Sequence, residues 1–403
     1  MKILVLNAGS SSQKSGLYDL GDELPQQPPP LLWEGLIDWG YQPGTVEIKI
    51  KTQHTTKTEF LPLTSRLEVM KSFISSLWRG ETQVISGIDE IAGVGHRVVQ
   101  GGREYRESVL ITPEVKAAIA RFSAFAPLHN PLNLEGIELM EQMGTLPQVA
   151  VFDTAFHAQM PLTSTVYPLP YDWYEQGVQR YGFHGTSYQY VTERSVQILD
   201  MPHPRLIICH LGNGCSLAAI RNGRSIATTM GFTPLDGVMM GTRCGSIDPG
   251  ILIYLLQQGH SVDDLDRALN HHSGLLGVSG VSSDMRQILS AKAENPRAQL
   301  AFDLFIERLR SSIASLLPGL GGLDALVFTA GIGEHAARVR SAVCDGFEFL
   351  GWQVDADLND QSPLDQDIAT AASSVRILVV HTEEDWAIAK DCWRLVKALG
   401  ICA

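Results

Sequence analysis

Five stretches of the chain gather side chains able to handle a small charged molecule. Gly95-His96-Arg97-Val98-Val99 ends an apolar run on a charged pair, and Val151-Phe152-Asp153-Thr154-Ala155-Phe156-His157 ends another in an acid. Ala126-Pro127-Leu128-His129-Asn130-Pro131 sets a histidine between two prolines, whose fixed φ stiffens the loop. Tyr181-Gly182-Phe183-His184-Gly185-Thr186-Ser187 holds a histidine between glycines ahead of a helix, and Met240-Gly241-Thr242-Arg243-Cys244-Gly245 offers an arginine in a glycine loop. Taken singly, each has a structural explanation: His129 or His184 as buried, hydrogen-bonded rings, Asp153 as a helix cap, Arg97 and Arg243 in ion pairs. Charged residues at the ends of apolar strands are, however, where open α/β sheets place ligands. Arginine grips carboxylate or phosphate oxygens bidentately. An acid beside such an arginine, with carboxylates for Mg²⁺, is the equipment of phosphoryl transfer.

Four small-residue turns follow apolar runs: Asn7 to Ser12, His210 to Ser216, Thr329 to Glu334, and Thr242 to Ser246 after Met239-Met240-Gly241. Glycine lets backbone approach a ligand, and successive free N–H groups make anion-binding nests. One such turn is only a turn; four in one chain favour a ligand with several phosphates. Lys14, just past the first, is placed to direct a positive charge at one. No Walker A loop occurs, and Gly331-Ile332-Gly333 is not a dinucleotide fingerprint.

The elements that must carry these groups alternate in α/β fashion. The N-terminal part reads as strand (Ile3 to Leu6), polar turn and returning strand (Gly16 to Leu20), then strands near Leu31–Trp39, Thr45–Thr52 and Thr58–Pro62. Helices near 67–77, 113–125 and 132–143 surround strands at Ile91–Val99 and Val149–Phe152. The same grammar restarts at Leu206–Cys209, returns at Leu217–Ile220 and turns at Asn222-Gly223, a strong hairpin signal. Helices near 250–258, 263–270 and 297–317 lead to strands Ala325–Thr329, whose glycine turn precedes a helix, and Val375–Val380, ahead of the last helix. Two halves that open alike suggest a duplicated α/β architecture with a cleft between them. The proline-rich loop Asp22 to Leu32 reads as a local insertion without chemical content.

Composition narrows the partners. The 403 residues suggest two to three domains, and 44% hydrophobic with 19% charged residues is globular usage. Acidic residues outnumber basic ones 44 to 31, for a net charge of -13, and no basic block exists, so nucleic acid is not an expected partner. Six scattered cysteines without a Cys-x-x-Cys pair make neither a disulfide framework nor a zinc site. The N-terminal apolar run is too short for a signal peptide, and the apolar window 313–332 is broken by Pro318 and Asp324. The reading is a soluble, cytoplasmic protein without membrane partners.

In this order the motifs are recognisable: the chain resembles the acetate kinase family of short-chain carboxylate kinases over nearly its full length. The resemblance is carried by Leu6-Asn7-Ala8-Gly9-Ser10-Ser11-Ser12 with Lys14, and by Gly95 to Val99, Pro127 to Pro131, Phe152 to His157 and Tyr181 to Ser187. It continues through His210-Leu211-Gly212-Asn213-Gly214, Met240 to Arg243, Ser283-Asp284-Met285-Arg286 and Gly331-Ile332-Gly333-Glu334-His335. It implies the actin-like, sugar-kinase-like (ribonuclease H-like) ATPase fold, duplicated into two domains with a central cleft. Residues 1–154, completed by helix 387–403, would form the carboxylate side; 155–386 would bind nucleotide and dimerise. The implied reaction is reversible transfer of the ATP γ-phosphoryl to acetate, giving acetyl phosphate and ADP, in a homodimer that uses Mg²⁺ or Mn²⁺.

Residue by residue, the resemblance assigns Asn7 and Glu384 to the metal and Lys14 to the nucleotide phosphates. Arg97 would hold the carboxylate, Arg243 the moving phosphoryl group, and His184 the transition state, with His129 assisting. Asp153 is the family's catalytic acid or base, but a carboxylate nucleophile is already ionised near neutral pH, so an orienting role suits it better. The nucleotide would lie along His210, Leu211, Gly212, Asn213 and Gly214, then Asp284, Met285 and Arg286, then Gly331, Ile332, Gly333, Glu334 and His335. Val99, Leu128, Phe183 and Pro234 match the pocket for the acyl methyl. A single methylene there is worth about 1–3 kcal/mol, so acetate and propionate should be discriminated incompletely.

Three departures stand out: Gln100 where a histidine usually follows Arg-Val-Val, Tyr188 where a second histidine usually follows Gly-Thr-Ser, and His381-Thr382-Glu383-Glu384-Asp385 in the last motif. Two other readings stay open, a propionate-preferring kinase of the same family and a non-catalytic, nucleotide-gated interaction protein. The retained Arg97, His184 and Arg243 argue against the second, because a pure binder has no need of a carboxylate clamp.

Overall fold

A computed structural model describes residues 1–9, 12–42 and 44–400. The chain divides into two compact units, Met1–Ala155 with Glu383–Ala403, and Phe156–Thr382. The sequence reading drew the boundaries at 154/155 and 386/387; in the structure Ala155, Glu383, Glu384, Asp385 and Trp386 fall in the first unit. The Ser10, Ser11 and Cys402 of the sequence reading lie outside the described residues.

The first unit holds one eight-stranded sheet. Its strands are β1 (Lys2–Ala8), β2 (Ser12–Asp19), β3 (Trp33–Gln42), β4 (Thr45–Thr52), β5 (Thr56–Pro62), β6 (Ile91–Val98), β7 (Val109–Leu110) and β8 (Gln148–Phe152), in the order β5-β4-β3-β2-β1-β6-β8-β7. β1 to β5 form an antiparallel meander, while β1, β6 and β8 run parallel. The second unit has β9 (Leu206–Leu211), β10 (Cys215–Arg221), β11 (Arg224–Thr228), β12 (Ala325–Thr329), β13 (Gln366–Asp367) and β14 (Arg376–Val379), ordered β11-β10-β9-β12-β14-β13. Here β9 to β11 are antiparallel, and β9, β12 and β14 parallel. The set β3-β2-β1-β6-β8 thus recurs as β11-β10-β9-β12-β14. This is the duplicated α/β arrangement of the actin-like ATPase fold.

The parallel strands are mainly apolar because both faces are covered. β8, β9 and β12 bury every residue. In the first unit the last helix, Glu384–Ala398, lies on β1, β6 and β8 and buries Trp386, Ile388, Cys392 and Val396. Gly95 lets it approach: a Cβ there would meet the Ile388 side chain at 2.7 Å and its carbonyl oxygen at 3.4 Å. The supposed insertion is tied down at its start, since Lys397 Nζ donates to the Asp22 carbonyl beside the bond of 3.1 Å from Trp393 Nε1 to the Gly21 carbonyl.

Two sequence expectations change. The glycine turn after β12 is itself a helix, Ala330–His335, which starts at the strand end with Ala330 in the left-handed region. The carboxylate of Glu334 makes this possible by accepting from the Ala330 N–H at 2.8 Å. The arginine loop at 242–246 follows no strand, because Val238 to Gly241 is buried irregular chain.

Two buried histidines tie the sheets to their surroundings. His96 Nε2 lies 2.6 Å from Gln148 Oε1, and His157 lies 2.8 Å from Ser225 Oγ and 3.0 Å from the Phe183 carbonyl. Burial lowers the pKa of each to about 4, although their hydrogen bonds act in the opposite direction. The unfolded chain protonates these rings from about pH 6.5 downward and the folded chain only near 4. Stability should therefore be complete above about 6.5 and decline as pH falls toward 4, as urea titrations across that window would measure. Replacing both rings with glutamine should flatten that part of the profile.

Candidate active site

In the first unit, the parallel register sets Val98 beside Phe152, so β6 and β8 end level. Arg97 and Asp153 therefore meet. The guanidinium donates to the carboxylate through Nε at 3.1 and 3.0 Å and through Nη2 at 2.6 Å. Asp153 is fully buried and the Arg97 side chain 15% exposed. Burial opposes the arginine's charge, but Asp153, then Glu384 and Asp385, outweigh it and raise the pKa.

Asn7 and Lys14 face each other across β1 and β2, which puts their side chains on one face of the sheet. The Asn7 amide donates to Asp385 Oδ1 at 2.7 Å and, at 3.5 Å, to Glu384 Oε2. Asp385, which the sequence reading did not select, is thus the nearer carboxylate. Burial pushes its carboxyl up, Asn7 and Lys14 pull it back, and Glu384 adds to the rise. Among the described residues no three His, Cys, Asp or Glu side chains form a metal cage. Two carboxylates and an amide fit the way Mg²⁺ is usually held, with water and substrate phosphates completing its shell. A cation would also offset the burial and the Glu384 repulsion that raise Asp385.

The other first-unit candidates differ in setting. His129 precedes helix Asn130–Met143 and is half-buried; Leu128 is 43% exposed. Val99 is buried, its N–H bound to Asn133 Oδ1 at 3.2 Å. Gln100 is built into the fold: its N–H donates to Asn130 Oδ1 and its Oε1 accepts from the Gly102 N–H.

In the second unit, His184 stands at the head of helix Gly185–Leu199 with φ 61°. A non-glycine residue in that region is held there by its surroundings. Its ring stacks on His210 at 4.1 Å, and its Nδ1 lies 2.8 Å from Ser216 Oγ. His210 Nδ1 is bound in turn to Ser187 Oγ at 2.8 Å. Arg243 Nη1 donates to the Pro234 carbonyl at 3.1 Å, which aims the guanidinium. A Cβ on Gly214 would stand 3.5 Å from Arg243 Nη1 and 3.6 Å from His184 Nε2, so both groups close around that turn. Phe183, by contrast, is core.

A cavity of about 540 Å³ opens beside the same turn, lined by Gly212, Asn213, Asp284, Met285, Arg286, Gly331, Ile332 and His335 among others. Three segments distant in sequence meet there. Asp284 caps the helix Met285–Ala291 and grips Arg286, whose hydrogen bonds hold its carboxyl below the usual range. His210, Leu211, Gly214, Gly333 and Glu334 do not line it. Leu211 is core, and Glu334 is buried beneath the turn, binding the backbone of Ala330 and Thr382 and the ring of His381. Sequence reading missed Leu289 and Ala336 of the wall, and quoted Ser283 of the wall and Ser187 behind His210 only within motifs. Ser216 was quoted only as part of a turn.

The sequence model of the acetokinase family matches residues 2–390. An acetate kinase of Cyanothece sp. is 61% identical, over 98% of this chain and 99% of its own. One from Gloeobacter violaceus is 56% identical over 98% and 100%. Among solved structures, acetate kinase of Porphyromonas gingivalis aligns with a TM-score of 0.87 at 39% identity, covering 98% of this chain and 99% of that one. A propionate kinase of Francisella tularensis gives 0.89 at 38%, with the same coverage.

Asp153→Asn should leave the mostly buried Arg97 charge without its nearest counter-ion. The expected loss is about 3 kcal/mol in urea unfolding. Adding Arg97→Met should recover most of it.

Proposed function

The chain belongs to the acetokinase family, and from that premise we propose that it transfers the γ-phosphoryl group of ATP reversibly to acetate, giving acetyl phosphate and ADP. The observation that carries this reading is the turn after β9. Gly212 and Asn213 line the cavity, while His184 and Arg243 flank Gly214 at its other end. A nucleotide in the cavity would have its phosphates on the side where two nitrogen donors wait.

The first unit supplies the acceptor side of the reading. Asp153 orients Arg97 through Nε and Nη2, which leaves Nη1 of the fork to meet a substrate carboxylate. No proton need leave acetate, so Asp153 serves as an orienting group. Glu384 and Asp385, with Asn7 holding them, would bind Mg²⁺, and that ion neutralises phosphate charge when bound. Catalysis is then mainly positioning and charge neutralisation during in-line transfer. On this side, Val99 and Leu128 are the residues proposed to meet the acyl methyl.

We also propose a homodimer, formed through helix Pro249–Gln257. It buries none of its side chains, and Ile253 and Tyr254 are 60% and 59% exposed. Such an apolar helix face marks a partner surface. Among the described residues no helix is long and apolar enough to cross a membrane.

Acyl phosphate trapped by hydroxylamine, with formate, acetate, propionate and butyrate as acceptors, tests the reaction; no product with any of them would overturn it. Arg97→Ala should raise the KM for acetate roughly tenfold or more. Arg243→Ala should lower kcat by roughly 10²–10³, and near-normal turnover in that variant would remove it from the site. Ile253→Glu with Tyr254→Glu should shift the sedimenting species from dimer to monomer.

A further inference from the structure

Behind the ring of His184 stand two hydroxyls in series. Ser216 Oγ lies 2.8 Å from His184 Nδ1 and 2.6 Å from the hydroxyl of Tyr188. Tyr188 comes four residues after His184, one turn into helix Gly185–Leu199, and is fully buried. Its ring meets His157 edge-on at 5.4 Å and stacks on Phe156 at 6.4 Å. Among the described residues, Ser216 Oγ is the one hydrogen-bond partner of the Tyr188 hydroxyl, and Ser216 Oγ bonds only to these two side chains.

Counting protons fixes the direction of the chain. A buried phenol must donate its proton, and here it has one place to send it. Ser216 Oγ then accepts from Tyr188 and passes its own proton toward His184 Nδ1, so every donor is used. The reverse direction, from a protonated Nδ1 through Ser216 to Tyr188, would strand the phenolic proton in the core. Burial also pushes the Tyr188 phenol well above its usual value, which keeps it a donor.

We propose that Tyr188 is a positioning residue that acts through Ser216 to fix His184 as the tautomer protonated on Nε2. The neutral ring then offers its N–H on the side of Gly214 and Arg243. This inference rests on the phosphotransferase reading for what that donor meets, but the tautomer itself does not. The groups around the ring agree with a neutral imidazole. Arg243 repels a second positive charge, the His210 ring covers one face, and Cys209 and Cys215 near Tyr188 are thiols whose pKa burial raises. The tyrosine at position 188 thus acts as a donor to Ser216.

Long-range ¹H–¹⁵N spectra of the His184 ring in the full-length protein test this. The wild type should show a protonated Nε2 and an unprotonated Nδ1. Tyr188→Phe should free the Ser216 hydroxyl to accept, bring in the Nδ1-protonated or doubly protonated ring, and move the acid limb of kcat to higher pH. Its kcat should drop about tenfold with the KM for acetate unchanged. Ser216→Ala, a smaller change, should reproduce the loss of the tautomer if Tyr188→Phe folds poorly. A wild-type ring protonated on Nδ1, or an unchanged ring and pH profile in both variants, would overturn the proposal. Because the ring spectra need no substrate, an Nε2-protonated ring without any acyl phosphate formed would refute the proposed reaction and leave the relay standing.

Discussion

The contact on which the first unit's chemistry depends is the buried pair of Arg97 and Asp153. An arginine taken mostly out of water survives there because a fully buried carboxylate binds two of its three nitrogens. The pair demands that β6 and β8 run parallel and end level, and that demand explains the long helical crossover between them. It also fixes what the guanidinium can do. A free arginine samples many directions, whereas this one keeps a single edge of its fork for another partner.

The second unit solves the matching problem with backbone rather than charge. His184 adopts a left-handed conformation at the start of a helix, where the stack on His210 and the bond to Ser216 hold it. Gly214 leaves the space into which His184 and Arg243 reach, and Glu334 secures the turn below by binding Ala330 and Thr382. A neutral hydroxyl and a backbone carbonyl thus hold the two nitrogen donors of His184 and Arg243. The chain as a whole carries a net charge of -13, so these few cations act against the average field of the protein.

Much of this was legible in the residues. Apolar runs that stop on Arg97, Asp153 and the glycine turns mark strand ends, and the repeat of strand, turn and strand at 3–20 and 206–220 reveals the duplication. The Gly212, Asp284 and Gly331 segments were read as one nucleotide site although up to 119 residues separate them, since the ordered motifs pointed to one family. Other features were not legible. Asp385 looked like a departure in a motif, yet it is the carboxylate that Asn7 holds most closely. The turn after β12 was read as a glycine turn ahead of a helix, yet it is itself helical, with the buried Glu334 carboxylate accepting from the Ala330 N–H.

Local order along the chain therefore determined which residue types stand at strand ends, and with them the class of chemistry. Hydrophobic period and turn composition are properties of neighbours, and the sequence displays neighbours directly. Which groups face each other was decided by tertiary structure alone, because the decisive bonds join residues far apart: Arg97 to Asp153, Asn7 to Asp385, Tyr188 through Ser216 to His184. Tyr188 shows the difference most clearly. In the sequence it is a tyrosine where a histidine is usual; buried against a single hydroxyl, it becomes a group whose proton has only one direction to go.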